Sequence, residues 1–198
     1  MVHRSVITVA LSAAALGVLC LSGQAAEEAS KMTVLTDGTS LAAFDQTGNA
    51  SWRIAERTIA ADRGNGFLVT KQSYGDFRLR AEFWVDEDTN SGIFIRCDNP
   101  QQPSAASCYE INIFDNNPNR GNATGAIVNV AKVDPAPQTA LKWNVIEIEA
   151  KGPQLNVSIN GMSPAKPLSR KTVRPSFSDS WNQSRQVMRS PVQLWKYS

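Results

Sequence analysis

The clearest pattern in the chain is a two-residue alternation of apolar and polar side chains between positions 77 and 114. Phe77, Leu79, Ala81, Phe83 and Val85 fall on one side of an extended segment, and Arg78, Arg80, Glu82 and Trp84 fall on the other. That period belongs to a β-strand with one face in a core and the other free for another use. Residues 92–96 repeat it, with Ile93 and Ile95 opposite Phe94 and Arg96. Residues 109–114 repeat it again, with Ile111 and Ile113 opposite Glu110 and Asn112. Shorter apolar runs at 34–35, 52–55, 58–60, 67–70, 126–130, 143–150 and 155–159 predict further strands, separated by turn residues such as Gly64-Asn65-Gly66, Lys151-Gly152-Pro153 and Asn160-Gly161. No amphipathic helix of useful length interrupts them. Many short strands with frequent turns predict an all-β sandwich or barrel.

The ends of the chain depart from this pattern. Arg4 followed by an apolar run from Val6 to Leu21, then Gly23-Gln24-Ala25, reads as a secretory signal peptide over 1–25. The run is too short for a stable membrane span. Its removal leaves about 173 residues, enough for one domain with a true core. Residues 26–161 hold the strand pattern. Residues 162–198 form an atypical basic segment, read either as completing or extending the sandwich or as a disordered tail, with seven Lys or Arg against one acid, Asp179, whereas residues 26–160 carry twelve basic and seventeen acidic side chains. An exported chain rarely meets nucleic acid, so none is expected as a partner, and a solvated or poorly ordered end is the plainer reading of the basic tail.

Export also changes the available chemistry. His3 is the sole histidine and leaves with the signal, which excludes a Ser-His-Asp triad and imidazole-bound zinc in the mature protein. Proton transfer then falls to carboxylates, Tyr, Lys or water. The remaining cysteines, Cys97 and Cys108, suit a disulfide in an oxidising compartment; two free buried thiols are the alternative. Acidic clusters at Asp86, Glu87, Asp88 and Asn90 and at Asp115, Asn116 and Asn117 invite comparison with calcium sites, but neither has EF-hand spacing, and no metal ligands are assigned.

The segments YGDFRLRAEFWV (74–85), NSGIFIR (90–96), YEINIFD (109–115), TGAIVNV (124–130) and KWNVIEIEAKGPQLNVSING (142–161) together resemble the 3-keto-disaccharide hydrolase domain family. The resemblance spans roughly 34–161. It implies a concanavalin A-like jelly roll of two antiparallel sheets and hydrolysis of 3-keto-glycosides. The segment beyond 161 departs from it: residues 190–194 are the stand-in for one late strand, and the last strand is missing, which predicts an unpaired sheet edge.

Under that resemblance the polar faces of the three alternating strands become a saccharide site. Glu110, flanked by Tyr109 and Ile111, is the first catalytic candidate as general base. Asp115 is a second carboxylate that reaches the same face only through a bulge, with turn capping as its alternative role. Arg96, or Arg80, is placed at a developing enolate. Arg80, Glu82, Trp84, Asn90, Tyr109 and Asn112 are the substrate-binding candidates, offering donors, acceptors and a ring for sugar hydroxyls and faces. The expectation is that side chains 80, 82, 96, 110 and 112 converge in one hollow. The competing reading is a solvated outer face with ion pairs such as Arg80–Glu82. Functionally, a lectin-like module that binds sugar without turnover and a surface or matrix interaction domain are the rivals.

Overall fold

The computed structural model describes residues 33–166, 184–189 and 193–195; the predicted signal segment, with His3, lies outside the described residues. Two antiparallel sheets make up the fold. One orders β1 (Phe44–Gly48), β4 (Gly66–Tyr74), β10 (Ser184–Arg189), β6 (Ser91–Ile95) and β7 (Tyr109–Ile113). The other orders β2 (Arg53–Ala55), β3 (Thr58–Ala60), β11 (Gln193–Trp195), β5 (Phe77–Trp84), β8 (Asn144–Lys151) and β9 (Gln154–Ile159). The fold is an all-β jelly-roll sandwich, and among the described residues no helix is long and apolar enough to cross a membrane.

Alternation explains the packing. Ile93, Ile95, Ile111 and Ile113 of the five-stranded sheet meet Phe83, Ile146, Ile148 and Val157 of the six-stranded sheet in one buried cluster. Each such side chain taken fully out of water contributes about 1.5–3 kcal/mol. The register keeps the two faces separate: Leu79 pairs with Ile148 and Ile148 with Val157, while Arg80 pairs with Glu147 and Glu147 with Ser158. The β9 hairpin closes through Asn160 (φ 52°) and Gly161 (φ 78°), with Ile159 and Met162 exchanging both backbone hydrogen bonds. Two successive positive φ values are what a two-residue Asn-Gly turn supplies.

Three elements differ from the sequence expectation. Residues 126–130 do not form a strand. Asn129 turns left-handed (φ 60°), and Ala131 N–H and Val130 N–H both return to the carbonyl of Ile127, so the segment folds back on itself beside β7. Residues 34–35 are likewise not a strand. Conversely, β1 escapes the pattern because Phe44 alone faces the core and Asp-Gln-Thr-Gly follows it.

The tail supplies the largest difference. β10 lies between β4 and β6, and β11 lies between β3 and β5, so residues beyond 183 provide an interior strand to each sheet where an unpaired edge was expected. SRQVMR carries no apolar alternation to announce a strand. Its backbone donors and acceptors are met by neighbours on both sides, which is a long-range condition invisible in a local window.

Candidate active site on the five-stranded sheet

Cross-strand register places two rows on the outward face of the five-stranded sheet. Asp45, Val69, Val187, Phe94 and Glu110 stand in one row of backbone positions. Thr47, Phe67, Arg189, Gly92 and Asn112 stand in the next. Residues directly opposite in an antiparallel pair share a face, so the rows are continuous across the sheet.

Although this face points away from the core, much of it is sheltered. Glu110 is 7 % exposed and Asn112 is 3 % exposed. Val69, Phe94, Cys97 and Cys108 form a second buried apolar cluster, with Phe67 packed against it. The Phe67 and Phe94 rings meet edge to face, 5.8 Å between centroids. The Cys97–Cys108 disulfide is formed and ties the chain just after β6 to the residue just before β7, leaving Cys108 two residues ahead of Glu110 in the chain. The result is a carboxylate and an amide beside an aromatic and disulfide wall, a composition that suits a saccharide.

Asn112 is fixed by the loop after β7. Its Nδ2 donates to the carbonyl of Asn122, which also accepts from Asn117 Nδ2 at 3.1 Å. The Asn122 side chain in turn meets Asn129, with its Nδ2 3.3 Å from Asn129 Oδ1. The Asn-rich stretch that reads as a loop in the sequence is therefore an amide network bracing the edge of β7, where Val128 N–H also donates to the Glu110 carbonyl.

The expected convergence of 80, 82, 96, 110 and 112 is corrected by the topology. Glu110 and Asn112 come together; the others lie elsewhere. Arg80, Glu82 and Trp84 do share a face of β5, but β5 belongs to the other sheet, and that face looks out on the opposite side of the sandwich. There Arg80 Nη1 reaches Glu82 Oε1 at 3.4 Å, and Arg78 Nε donates to Glu149 at 2.9 Å. Glu149 also accepts from Asn156 and Glu147 from Ser158. This is the ion-pair ladder of a solvated face. Alternation within a strand reveals which residues share a face but carries no information about which sheet the strand joins.

Arg96 is displaced for a different reason. Its backbone is left-handed (φ 53°), which breaks the alternation at the end of β6 and sends the side chain inward. The guanidinium is fully buried, donates through Nη1 to the Gly152 carbonyl at 2.6 Å and lies 3.5 Å from Asp76. Burial lowers its pKa from the ordinary arginine value, opposed first by Asp76 and then by Tyr109. Tyr109 follows the parity of Ile111 and lies in the core, 1 % exposed, rather than on the Glu110 face.

Asp115 is buried but saturated. Its carboxylate accepts from Thr124 Oγ1 at 2.6 Å, from Thr139 Oγ1 at 2.7 Å, and from the backbone N–H groups of Thr139 and Ala140. Four donors use the lone pairs a reaction would need and tie the loop after β7 to the approach to β8. Asn90 is exposed just before β6. Asp86, Glu87 and Asp88 are exposed as well, and Asn116 Nδ2 donates to the Glu87 carbonyl at 3.0 Å. Among the described residues no group of three His, Cys, Asp or Glu side chains is placed to hold a metal ion.

Sequence reasoning missed Gly92, Phe67 and Val69 as members of this face. Gly92 had a legible signal: an isolated glycine inside a strand marks a close approach of another group. Phe67 and Val69 had none, because their place beside Phe94 depends on β10 being inserted between β4 and β6.

The sequence model of a domain family described as 3-keto-alpha-glucoside-1,2-lyase-like matches residues 31–166. No curated protein matches the chain. Among solved structures, a candidate glycosyl hydrolase from Parabacteroides distasonis superposes with a TM-score of 0.61 at 13% identity, covering 84% of this chain and 94% of that one. A second candidate glycosyl hydrolase from the same organism gives 0.55 at 16% identity, covering 77% and 100%. The carbohydrate-binding module CBM66 from Bacillus subtilis gives 0.50 at 14% identity, covering 76% and 90%. At these identities the structural likenesses speak to the fold alone.

Proposed function

The chain belongs to the 3-keto-alpha-glucoside-1,2-lyase-like domain family, and on that premise we propose that it is an exported enzyme cleaving the glycosidic bond of 3-keto-glycosides, with Glu110 as the general base. Family membership gives a carbohydrate-related function; the reaction and the residue are the proposal. The observation that carries it is Glu110 itself, a carboxylate 93% shielded on the outward face of the sheet beside Asn112 and the Phe94–Phe67 wall.

The chemistry follows from the ketone. A carbonyl at C3 acidifies the C2 proton. Glu110 takes that proton, the electron pair passes into the C2–C3 enolate, and its collapse expels the C1 oxygen, which takes the proton back from Glu110 as it leaves and so restores the carboxylate. The products are the free alcohol and a C1=C2 enone. Addition of water across that double bond then completes net hydrolysis. Asn112 spends one N–H on Asn122 and retains a second for a substrate oxygen. Arg96 and Arg80, assigned to the enolate from sequence, are held at the Gly152 turn and on the other sheet, so neither enters this scheme.

The test is turnover of a 3-keto-disaccharide beside its unoxidised parent. Cleavage of the keto form alone is expected, and Glu110→Gln should lower the rate by about 10²–10⁴-fold with the fold retained. Undiminished turnover in that variant removes Glu110 from the role. Binding of both sugars without cleavage selects the lectin-like alternative, for which the aromatic wall alone would suffice. The disulfide, together with the signal-like segment, supports export, which the mass and amino terminus of the secreted protein would check.

A further inference from the structure

Trp84 and Trp143 come together on the face of the six-stranded sheet that looks away from Glu110. Glu82 pairs with Val145 and Phe83 with Asn144, so one further step of the ladder sets Trp84, the last residue of β5, opposite Trp143, which immediately precedes β8. The two chains stay together past that point, where Leu141 N–H donates to the Val85 carbonyl at 2.8 Å. Phe83 and Asn144 are buried, so by alternation both tryptophans take the outward face, with Glu82 and Val145. Directly opposite positions on one face hold their Cβ atoms about 4.5–5.5 Å apart. Trp84 is half-buried, but Trp143 is 49% exposed, although tryptophan is on average a well-buried residue.

Charged groups adjoin the pair. Arg80 Nη1 lies 3.4 Å from Glu82 Oε1 and Arg80 Nε lies 4.0 Å from Glu147 Oε1. Both are longer than the roughly 2.7–2.9 Å of a tight charge-assisted hydrogen bond, so a ligand hydroxyl can compete for these groups. The two faces of the sandwich also differ in access. Phe94 is 3% and Glu110 is 7% exposed, whereas Arg80, Glu82, Glu147 and Trp143 all meet solvent. The sheltered face suits a small sugar and the open one a longer chain. Charged residues are depleted at the centre of protein interfaces, so rings set among charges fit a hydroxyl-rich ligand better than a second protein.

We propose that this face is a second saccharide site, separate from the Glu110 face, that holds a neutral gluco-oligosaccharide without cleaving it. Trp143 and Trp84 take the C–H faces of glucose rings, and Glu82 and Arg80 accept from and donate to the hydroxyls at their edges. The chain's family is one of glucoside chemistry, which makes glucose the sugar to offer. The site stands whether or not Glu110 is the general base.

Isothermal titration of the full chain with maltohexaose and with cellohexaose tests this. At least one hexaose is expected to bind. Trp143→Ala should weaken that binding by about tenfold or more, the cost of truncating an anchoring tryptophan. Arg80→Gln combined with Glu82→Gln should weaken it by about threefold or more, and this variant decides by itself if Trp143→Ala does not fold. A saturating 3-keto-disaccharide should leave hexaose affinity unchanged, because the two sugars occupy opposite faces. The proposal is overturned if neither hexaose binds, if the variants bind it as the wild type does, or if the keto-disaccharide displaces it. A dimer seen by sedimentation and lost in Trp143→Ala, with neither hexaose bound, assigns the face to a second copy of the chain and likewise overturns it. Absence of keto-disaccharide turnover in the wild type counts against the role of Glu110 alone, and the hexaose titration still decides this site.

Discussion

Arg96 and Gly152 join the two sheets at one end of the sandwich: the arginine follows β6 of one sheet, and its Nη1 donates 2.6 Å to the glycine carbonyl in the β8–β9 turn of the other. Asp76, in the turn between β4 and β5, completes the clasp by accepting from Gly152 N–H at 2.8 Å. The residue that sequence reasoning assigned to an enolate is placed to hold the sandwich closed.

Replacing Arg96 therefore tests structure before chemistry. Arg96→Met should destabilise the protein by about 2–4 kcal/mol, because it strands the Gly152 carbonyl and empties a buried volume. Urea unfolding with an unchanged slope and a lowered midpoint is the expected result. Turnover measured on the folded fraction should stay within about threefold of wild type.

Asp115→Asn should be costly in the same way. An amide retains one acceptor oxygen and turns its nitrogen toward the N–H groups of Thr139 and Ala140, where two donors then face each other. The expected loss is about 2–4 kcal/mol in chemical denaturation, with activity falling only as folded protein falls.

The ion-pair ladder on β5 is expected to be dispensable. Neutralising Arg80 and Glu82 together should change stability by less than about 1 kcal/mol and leave keto-disaccharide turnover within about twofold, as befits partly exposed pairs. A hundredfold loss of kcat in that variant would move the site to the six-stranded sheet.

Acid stability should carry the mark of Glu149. Its pKa is lowered from 4.5, first by the hydrogen bond from Arg78 and then by that from Asn156. Asp62 is lowered from 3.8 chiefly by Ser51. A depressed folded pKa means that the unfolded chain binds the proton more readily. The stabilisation is present above the unfolded value and is lost as pH falls through the folded one. Stability should thus decline below about pH 4.5. Glu149→Gln should flatten the upper part of that decline when urea midpoints are compared between pH 5 and 3.

Loss of the disulfide should be felt on the Glu110 face. Cys97 and Cys108 are separated by 11 positions, so replacing both by alanine is expected to cost about 2–3 kcal/mol through the unfolded chain. The loosened cluster holds Phe94 and Val69, so saccharide affinity should weaken as well. Calorimetric titration of the folded variant with the keto-disaccharide measures that part separately.

What the sequence determined by itself was local. The alternation at 77–85, 92–96 and 109–114 assigned strands and their two faces, because side chains on an extended backbone must alternate. Asn160-Gly161 announced its turn through two residues that tolerate positive φ. The order of segments was enough to point to the family, and the pairing of Cys97 with Cys108 needed only that they are the two cysteines beyond the signal-like segment. Tertiary structure decided everything that depends on which strand lies beside which. It put β5 in one sheet and β7 in the other, separating Arg80 and Glu82 from Glu110. It drew β10 and β11 out of an unpatterned tail into the middle of both sheets. It also turned Arg96 inward through a single left-handed residue. Side-chain period is a property of one strand, whereas hydrogen bonding between strands is settled by the whole chain at once; a site built across a sheet inherits the second kind of information.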